Sequence, residues 1–570
     1  MTSIIFKGIE NNNFSIFKFI ISRANRIVPA LTYTILFLLL IGYLFFEPLT
    51  YQLIGKHAVS SLLFISNYIY ASESGYFDLA SNTKSLLHTW SLSVEWQFYI
   101  IYPVVIILLS KIINLNTIKI VISLLTTLSF LASMYFSFKN PTVSYFMLYT
   151  RAWEMMIGGV IFFYPIKFFN SKNYIFEKIG ILLILISFII ISEKTKWPGY
   201  MSVIPIFGTF LCMQANRSNT FFSNGAIQYL GLISYSVYLV HWPILVFLNK
   251  NNFTPSLPVY LLIVLIASYI LHTFVEKKRS YNYRFFILYL IVLISSVFIE
   301  KDGIKNRVDD KYRLTSTEFH SQYYGGNGIK SDGMIQEVNL SKGTTPSFII
   351  TGDSFARQYM NFFKNEQFVA IFKDGCFSGD TFMTSLSDIS DSACNLRFTN
   401  FKKAMLEYKT PNVIYMQAWQ DEAKLLNKKT GESLTDKDGV ILIKELNMII
   451  NSMEFNSVSD RKLFIVGNPP GSQSLVFECK AKEQLPVYKF LKSSCDEFNI
   501  KKESNINNIL KKWAGNYDNV YFIDPSVVLC DENKCRIQTN DGEPIYSDFH
   551  HLSIYGAQIV GPYIKKEIKK

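Results

Sequence analysis

Long apolar runs, and then their absence, divide this chain. Apolar stretches recur at 28–47, 91–110, 119–138, 145–164, 179–192, 201–215, 233–249, 258–274 and 285–299. Each is at or near the roughly 20 residues an α-helix needs to cross a bilayer, which predicts about nine spans over a membrane domain at 1–300. A tenth run, 57–70, is short and carries His57, Ser60, Ser61, Ser66 and Asn67. Residues 48–90 are therefore predicted as an external loop with an interfacial or re-entrant segment. Beyond residue 300 the period changes. Residues 301–345 are polar and contain Gly325, Gly326 and Gly328, and are expected to be a connector. From 346, short β-rich runs at 347–351, 413–416, 463–466 and 520–523 alternate with helix-like polar stretches. That alternation predicts an α/β domain over 346–570.

Charge sets the orientation. Residues 1–300 carry 21 Lys and Arg against 10 Asp and Glu, while the rest carry 35 against 34, so the net charge of +12 belongs to the apolar half. Basic residues gather on cytoplasmic loops. Nine spans place Arg23 and Arg26, Lys111 and Lys119, Lys167, Lys172 and Lys178, Arg217, and Lys277, Lys278, Arg279 and Arg284 inside, and the C-terminal half outside. The 570 residues are 49% hydrophobic and 16% aromatic with 18% charged, which excludes a disordered chain. No basic stripe stands on the polar half, so no nucleic-acid partner is expected.

Six of the seven cysteines, Cys376, Cys394, Cys479, Cys495, Cys530 and Cys535, lie in the outer half. Taken as consecutive pairs they are spaced 18, 16 and 5 residues apart, which suits three sequential disulfides in an oxidising compartment, although spacing alone leaves the pairing open. No pair has zinc-ligand spacing with a nearby His, and no metal is expected.

The polar half contains a candidate nucleophile. Residues 348–356 read as a buried strand, then Gly352-Asp353-Ser354, then a polar helix, which puts Ser354 beside helix N-terminal N–H groups. Near the end stands Asp548-Phe549-His550-His551. An Asp three residues before a His can hold the imidazole tautomer that accepts a serine proton. These two blocks resemble the first and last blocks of the SGNH (GDSL-like) hydrolase family, over about 346–570. The resemblance implies Ser354 as nucleophile, His551 as base and Asp548 as its orienting acid. It implies a Gly N–H in the oxyanion hole, best matched by Gly375 with Gly379 close behind. It also implies an Asn after a later strand, where this sequence has Gln417, the expected substitute donor.

The apolar half carries polar groups that need a reason, since charged side chains inside a membrane are costly unless paired or functional. Arg151 and Glu154 sit three apart on one predicted helical face. His88, Glu95 and Gln97 open another span, and His241 lies within a third. Arg23-x-x-Arg26 followed by Val28-Pro29-Ala30-Leu31, the string His88-Thr89-Trp90-Ser91-Leu92-Ser93-Val94-Glu95, Arg151-x-Trp153-Glu154, His241-Trp242-Pro243 and Phe274-Val275-Glu276-Lys277 together resemble the acyltransferase-3 family of membrane acyltransferases, over about 1–280. Fusion to an outer SGNH domain is known in that family, in enzymes that O-acetylate surface polysaccharides. The resemblance implies acetyl-CoA as donor substrate, with no bound cofactor, and associates Arg23 and Arg26 with donor handling. His88, Glu95, Arg151 and Glu154 become membrane-site candidates. Family members begin with two further helices, the first carrying an Arg and a His regarded as catalytic. Met1-Thr2-Ser3-Ile4-Ile5 looks like the continuation of the string ending the second, so the expectation is a chain lacking those helices and weakened in its membrane step.

The reading that results is an O-acetyltransferase in a bacterial inner membrane, multi-pass, with its C-terminal domain periplasmic or extracellular. It would carry acetyl from a cytoplasmic donor to hydroxyls of O-antigen, capsule or peptidoglycan. Its partners would be the glycan acceptor, the acyl-CoA and membrane lipid. The alternatives are a membrane-anchored carbohydrate acetyl esterase, and a transporter or flippase with an accessory outer domain.

Overall fold

A computed structural model describes the chain except for residues 74–82, 166–172, 193–194, 196, 216–220, 252, 280–281, 385–390, 421, 455–460, 492–493 and 502–503. Lys167, Lys172 and Arg217 of the predicted basic loops lie outside the described residues. The chain forms two compact units. One comprises Met1–Phe46 and Thr50–Ile304; the other is Lys305–Lys570, with Glu47–Leu49 grouped with it.

The first unit is all helical: α1 (Thr2–Glu10), α2 (Ile16–Phe45), α3 (Pro48–Leu62), α4 (Ser66–Glu73), α5 (Thr89–Ser110), α6 (Leu115–Lys139), α7 (Pro141–Phe146), α8 (Leu148–Phe163), α9 (Asn173–Ile190), α10 (Val203–Ala215), α11 (Gly225–Lys250), α12 (Leu257–Phe274) and α13 (Tyr283–Asp302). Side-chain caps start several of them. Asn114 accepts from Thr117 N at 2.9 Å before α6, and Asn224 accepts from Ala226 N at 2.9 Å before α11. All nine predicted runs fall on helices. Among the described residues, however, only six helices are long and apolar enough to cross a membrane: α2, α5, α6, α11, α12 and α13. The helices at the other three runs, α8, α9 and α10, have 16, 18 and 13 residues. Six of the nine predicted runs thus meet both requirements among the described residues.

The tenth run is a helical hairpin. Helix α3 has 15 residues, about 22 Å and short of a bilayer core, and α4 turns back beside it. Its polar side chains face neighbours instead of lipid. His57 Nε2 lies 3.0 Å from Glu73, Ser61 Oγ 2.7 Å from Thr89 Oγ1, and Ser66 Oγ 2.7 Å from Ser93 Oγ. The opening residues form α1. It buries Ile5 and Phe6, the latter edge-on to Phe163 at 4.6 Å, and Thr2 Oγ1 meets the Tyr102 hydroxyl at 2.9 Å.

The second unit is an α/β domain on a six-stranded sheet. Its strands are β1 (Gln336–Val338), β2 (Phe348–Gly352), β3 (Phe368–Phe372), β4 (Asn412–Met416), β5 (Lys462–Val466) and β6 (Val520–Ile523). Their spatial order is β1-β3-β2-β4-β5-β6, with β1 antiparallel to β3 and the rest parallel. A parallel sheet is covered on both faces, so its strands are apolar on both sides of the pleat. Ile349, Val369, Val413, Tyr415 and Leu463 enter one core with Phe401, Leu446 and Trp513. Phe348, Ile350, Ala370, Ile414 and Phe464 enter the other with Tyr359, Phe363 and Val560. Residues 301–345 are not a free connector: from Lys305 they belong to this unit, supply edge strand β1, and form helix α14 (Ser316–Tyr323).

The structure pairs the six cysteines of the second unit in sequence order, Cys376–Cys394, Cys479–Cys495 and Cys530–Cys535, and leaves Cys212 as a thiol. Denatured without reductant, the 570-residue chain should bind one maleimide. After reduction it should bind all seven. Seven labels before reduction would contradict the pairing.

Candidate active site

Parallel sheets present their catalytic loops at the strand C-termini. Here β2 ends at Gly352, and Asp353 caps the short helix α15 (Ser354–Arg357) by accepting from Phe355 N at 2.9 Å. Ser354 is the first residue of that helix. The loop before the C-terminal helix Ile554–Ile568 brings in the partner groups. Ser354 Oγ lies 2.7 Å from His551 Nε2, and His551 Nδ1 lies 2.7 Å from Asp548 Oδ2. An ionised carboxylate only accepts, so Nδ1 carries the proton and Nε2 accepts from the serine hydroxyl. Asp548 Oδ1 also accepts from the backbone of His550 and His551, each at 2.7 Å. Burial opposes the charged form of Asp548, but the His551 hydrogen bond and charge and these two N–H donors outweigh it and hold the carboxyl below its usual range. Ser354 is fully buried and His551 nearly so, whereas the neighbouring His550 faces solvent. This is the arrangement of a hydroxyl that loses its proton as it attacks a carbonyl.

Gly375 lies three residues beyond β3, whose Phe372 pairs with Gly352, so it shares the edge that holds Ser354. It has a positive φ of 71°. Gly379 is turned elsewhere, tight against the Glu445 carboxylate. The expectation that Gln417 donates to an oxyanion is corrected by where its amide points. Its nitrogen donates to Asp353 Oδ2, and its oxygen accepts from Arg397 Nη1 at 2.9 Å. The aromatics Tyr415, Trp419 and Trp513 are at most 5% exposed and belong to the core, with the two indoles donating to Val466 O and Asn447 Oδ1. They are not placed to stack on a sugar.

Several groups around the triad carry no signal in the sequence. Tyr324 donates to Ser354 O at 3.0 Å and stands edge-on to His551, while the Phe355 ring lies 4.7 Å from the His551 ring. Arg357 reaches Asp374, the residue before Gly375, at 2.8 Å. His320 of α14 stacks on Tyr324 at 4.9 Å. Burial lowers the His320 imidazole pKa, although the Asp548 carboxylate pulls the other way. Residues from the stretch expected to be a connector thus form one wall of the site, a placement that only the long-range sheet pairing reveals.

In the helical unit the membrane-site candidates are held by neighbouring side chains. Arg151 Nη1 contacts Glu154 at 2.8 Å and Nε donates to Tyr145 O, with the guanidinium over Trp90 at 5.2 Å. His88 sits against Tyr238 and His241, at 5.1 and 5.6 Å between ring centroids. Glu95, two turns further along α5, accepts from Tyr99, and the Arg23 guanidinium lies 5.7 Å from the Tyr99 ring. Arg26 is exposed. Gln97 donates to Phe64 O and Asn67 Oδ1 and holds the α3–α4 hairpin to α5.

Comparison with known proteins agrees with this division. Residues 3–300 match the family model described as an acyltransferase domain, and residues 323–566 match the SGNH domain found fused to AT3 domains. An uncharacterised protein of Haemophilus influenzae is 26% identical over 232 residues, 38% of this chain and 94% of its own length. The O-acetyltransferase OatA of Staphylococcus aureus is 28% identical over 262 residues, 42% of this chain and 43% of its own, so the chain spans under half the length of that relative. The periplasmic domain of a lipopolysaccharide acetyltransferase from Salmonella Paratyphi A covers 40% of this chain and 85% of its own at 16% identity and a TM-score of 0.31, a likeness too distant to rest an argument on.

Proposed function

We propose a function from the premise that this chain belongs to the acyltransferase-3 family of membrane acyltransferases and carries the SGNH domain fused to it. It is an O-acetyltransferase of a cell-surface polysaccharide. The observation that carries this reading is the Ser354–His551–Asp548 relay, closed at 2.7 Å on both links, in a chain whose other unit is an acyltransferase domain. The helical unit takes acetyl from cytoplasmic acetyl-CoA, with the cationic pair Arg23 and Arg26 suited to the donor's phosphates, and passes it outward. His551 Nε2 removes the Ser354 proton as Oγ attacks the acyl carbonyl; the bond from that carbonyl to the donor then breaks, the donor group leaves with the proton returned by His551, and an acetyl-Ser354 ester remains. Asp548 stabilises the imidazolium. His551 then deprotonates a sugar hydroxyl, which attacks the ester and regenerates Ser354.

Disulfides outside and basic residues on the opposite loops support a bacterial inner-membrane location with the SGNH unit on the outer side. The OatA similarity supports an O-linked acetyl product. The test is alkali-labile acetate on surface polysaccharide in cells with and without the chain. A gain is expected. A loss would make the protein an esterase, and an unchanged content with the protein present in normal amount would sink the transferase reading.

A further inference from the structure

Arg397, on the helix Asp391–Glu407, is the bulkiest fully buried side chain among the described residues, 1% exposed. A charge so deep is tolerated only if it is compensated. Yet the groups it touches are neutral: Gln417 Oε1 at 2.9 Å from Nη1, and the Tyr415 hydroxyl at 3.3 Å from Nη2, with the Tyr415 ring 5.8 Å from its centre. The compensating charge stands one group further on. Gln417 turns its amide nitrogen to the carboxylate of Asp353, itself 1% exposed. A guanidinium only donates and a carboxylate only accepts, so the amide between them has a single self-consistent orientation. Asp353 also accepts from Phe355 N at 2.9 Å and from Ala418 N at 3.1 Å. It therefore ties the first turn of α15 to the end of β4, and Ser354 is the next residue.

We propose that Arg397 and Gln417 are positioning residues for the nucleophile. The Arg397 charge, passed through the Gln417 amide, neutralises Asp353 and so holds the Asp353–Ser354 turn without an uncompensated negative charge beside the reacting carbonyl. The inference rests on Ser354 being the nucleophile. Acyl transfer builds negative charge on the acyl oxygen, and preorganised groups near it act in proportion to their sign. A bare carboxylate one residue from Ser354 opposes that charge; a carboxylate balanced by a fixed cation keeps its acceptor sites for backbone and amide donors without doing so. Burial pushes the Asp353 carboxyl up to about 6, against the pull of the Phe355 and Ala418 N–H groups, Arg397 and His551.

A purely packing role for Arg397 makes a different prediction, and removal of both charges separates the two. The full-length chain is assayed in detergent by hydrolysis of p-nitrophenyl acetate. Arg397→Met should lower kcat by about 10²-fold with KM within about twofold, since the lost effect falls on the charge that develops during the reaction. The double variant Asp353→Asn with Arg397→Met should recover at least about tenfold of that loss, because a neutral amide at position 353 needs no cation and Gln417 can turn its own amide to suit. A double variant no faster than Arg397→Met, or a single variant with unchanged kcat, overturns the proposal. If Arg397→Met fails to accumulate, the comparison is between Asp353→Asn and the double variant. Equal kcat supports the relay, and a further tenfold loss overturns it. Ser354→Ala in the same assay separates the two levels: hydrolysis persisting there sinks the nucleophile assignment, and the relay with it.

Discussion

Replacing Ser354 with Ala is expected to abolish acetyl transfer to polysaccharide while the protein accumulates normally. The change removes one oxygen from a site with no exposed surface, and the helix cap survives because it is made by the Asp353 side chain, not by the serine. What is lost structurally is the hydroxyl's hydrogen bond to His551 Nε2, a cost of about 1 kcal/mol. The chemical cost is far larger. Without Oγ no acetyl ester forms on the chain, and loss of the nucleophile in a Ser-His-Asp arrangement typically removes about 10³-fold or more of the rate. Acetate per unit polysaccharide and protein per cell, measured together, decide the matter. Undiminished acetate in cells holding wild-type amounts of the variant would remove Ser354 from the mechanism.

This site is partly legible in the sequence because its strongest signals are local. Asp548 and His551 lie three residues apart, and the structure closes that spacing into one loop with Asp548 accepting from two successive N–H groups. Gly352-Asp353-Ser354 likewise marks a strand end and a helix start in consecutive residues. The predicted strand runs at 347–351, 413–416, 463–466 and 520–523 coincide with β2, β4, β5 and β6, since a strand buried on both faces writes itself as a short apolar run. The same rule applies to Phe368-Val369-Ala370-Ile371-Phe372, every residue of which is buried in β3, and the predicted runs omit it. Other features have no local signal. Arg397 stands in a helix of ordinary polar composition, and what buries it is the sheet beneath, with Tyr415 and Gln417 about 20 positions away in sequence. Gln417 stands after a strand, where a donor to the oxyanion is wanted. The Asp353 carboxylate claims that donor first.

Helix ends escape the sequence for a related reason. Hydropathy detects an apolar run but does not show where the helix within it stops. Helix α8, for one, runs only from Leu148 to Phe163 within the apolar run 145–164. The α3–α4 hairpin carries enough serine, asparagine and histidine to look external, yet buries those groups against one another and against α5.

Gly352→Ala should unfold the α/β unit, and the reason connects the fold to the Asp353–Ser354 turn. Gly352 has φ +153°, a backbone region that side chains rarely enter, and pairs with Met416 across β2 and β4. A Cβ there would fall far inside the van der Waals radius of the Met416 carbonyl oxygen and only 2.9 Å from the Ala356 Cβ. Backbone cannot swing aside as a flexible side chain can, so the two strands must part. Their close approach is what lets the next residue, Asp353, reach Ala418 N and Gln417 beyond the end of β4. The expected cost exceeds about 4 kcal/mol, a large part of a typical domain's 5–15 kcal/mol. Gly328→Ala supplies the comparison: φ there is +89° but nothing lies within 4 Å, so only the backbone term applies, about 1 kcal/mol. Thermal unfolding of the full chain, followed through protease resistance of residues 305–570, should therefore leave Gly328→Ala close to wild type and Gly352→Ala unfolded or barely present. A Gly352→Ala protein that melts with the wild type would mean that β2 and β4 tolerate separation. The Asp353 tether, and the fixed placing of Ser354 that depends on it, would then lose their structural basis.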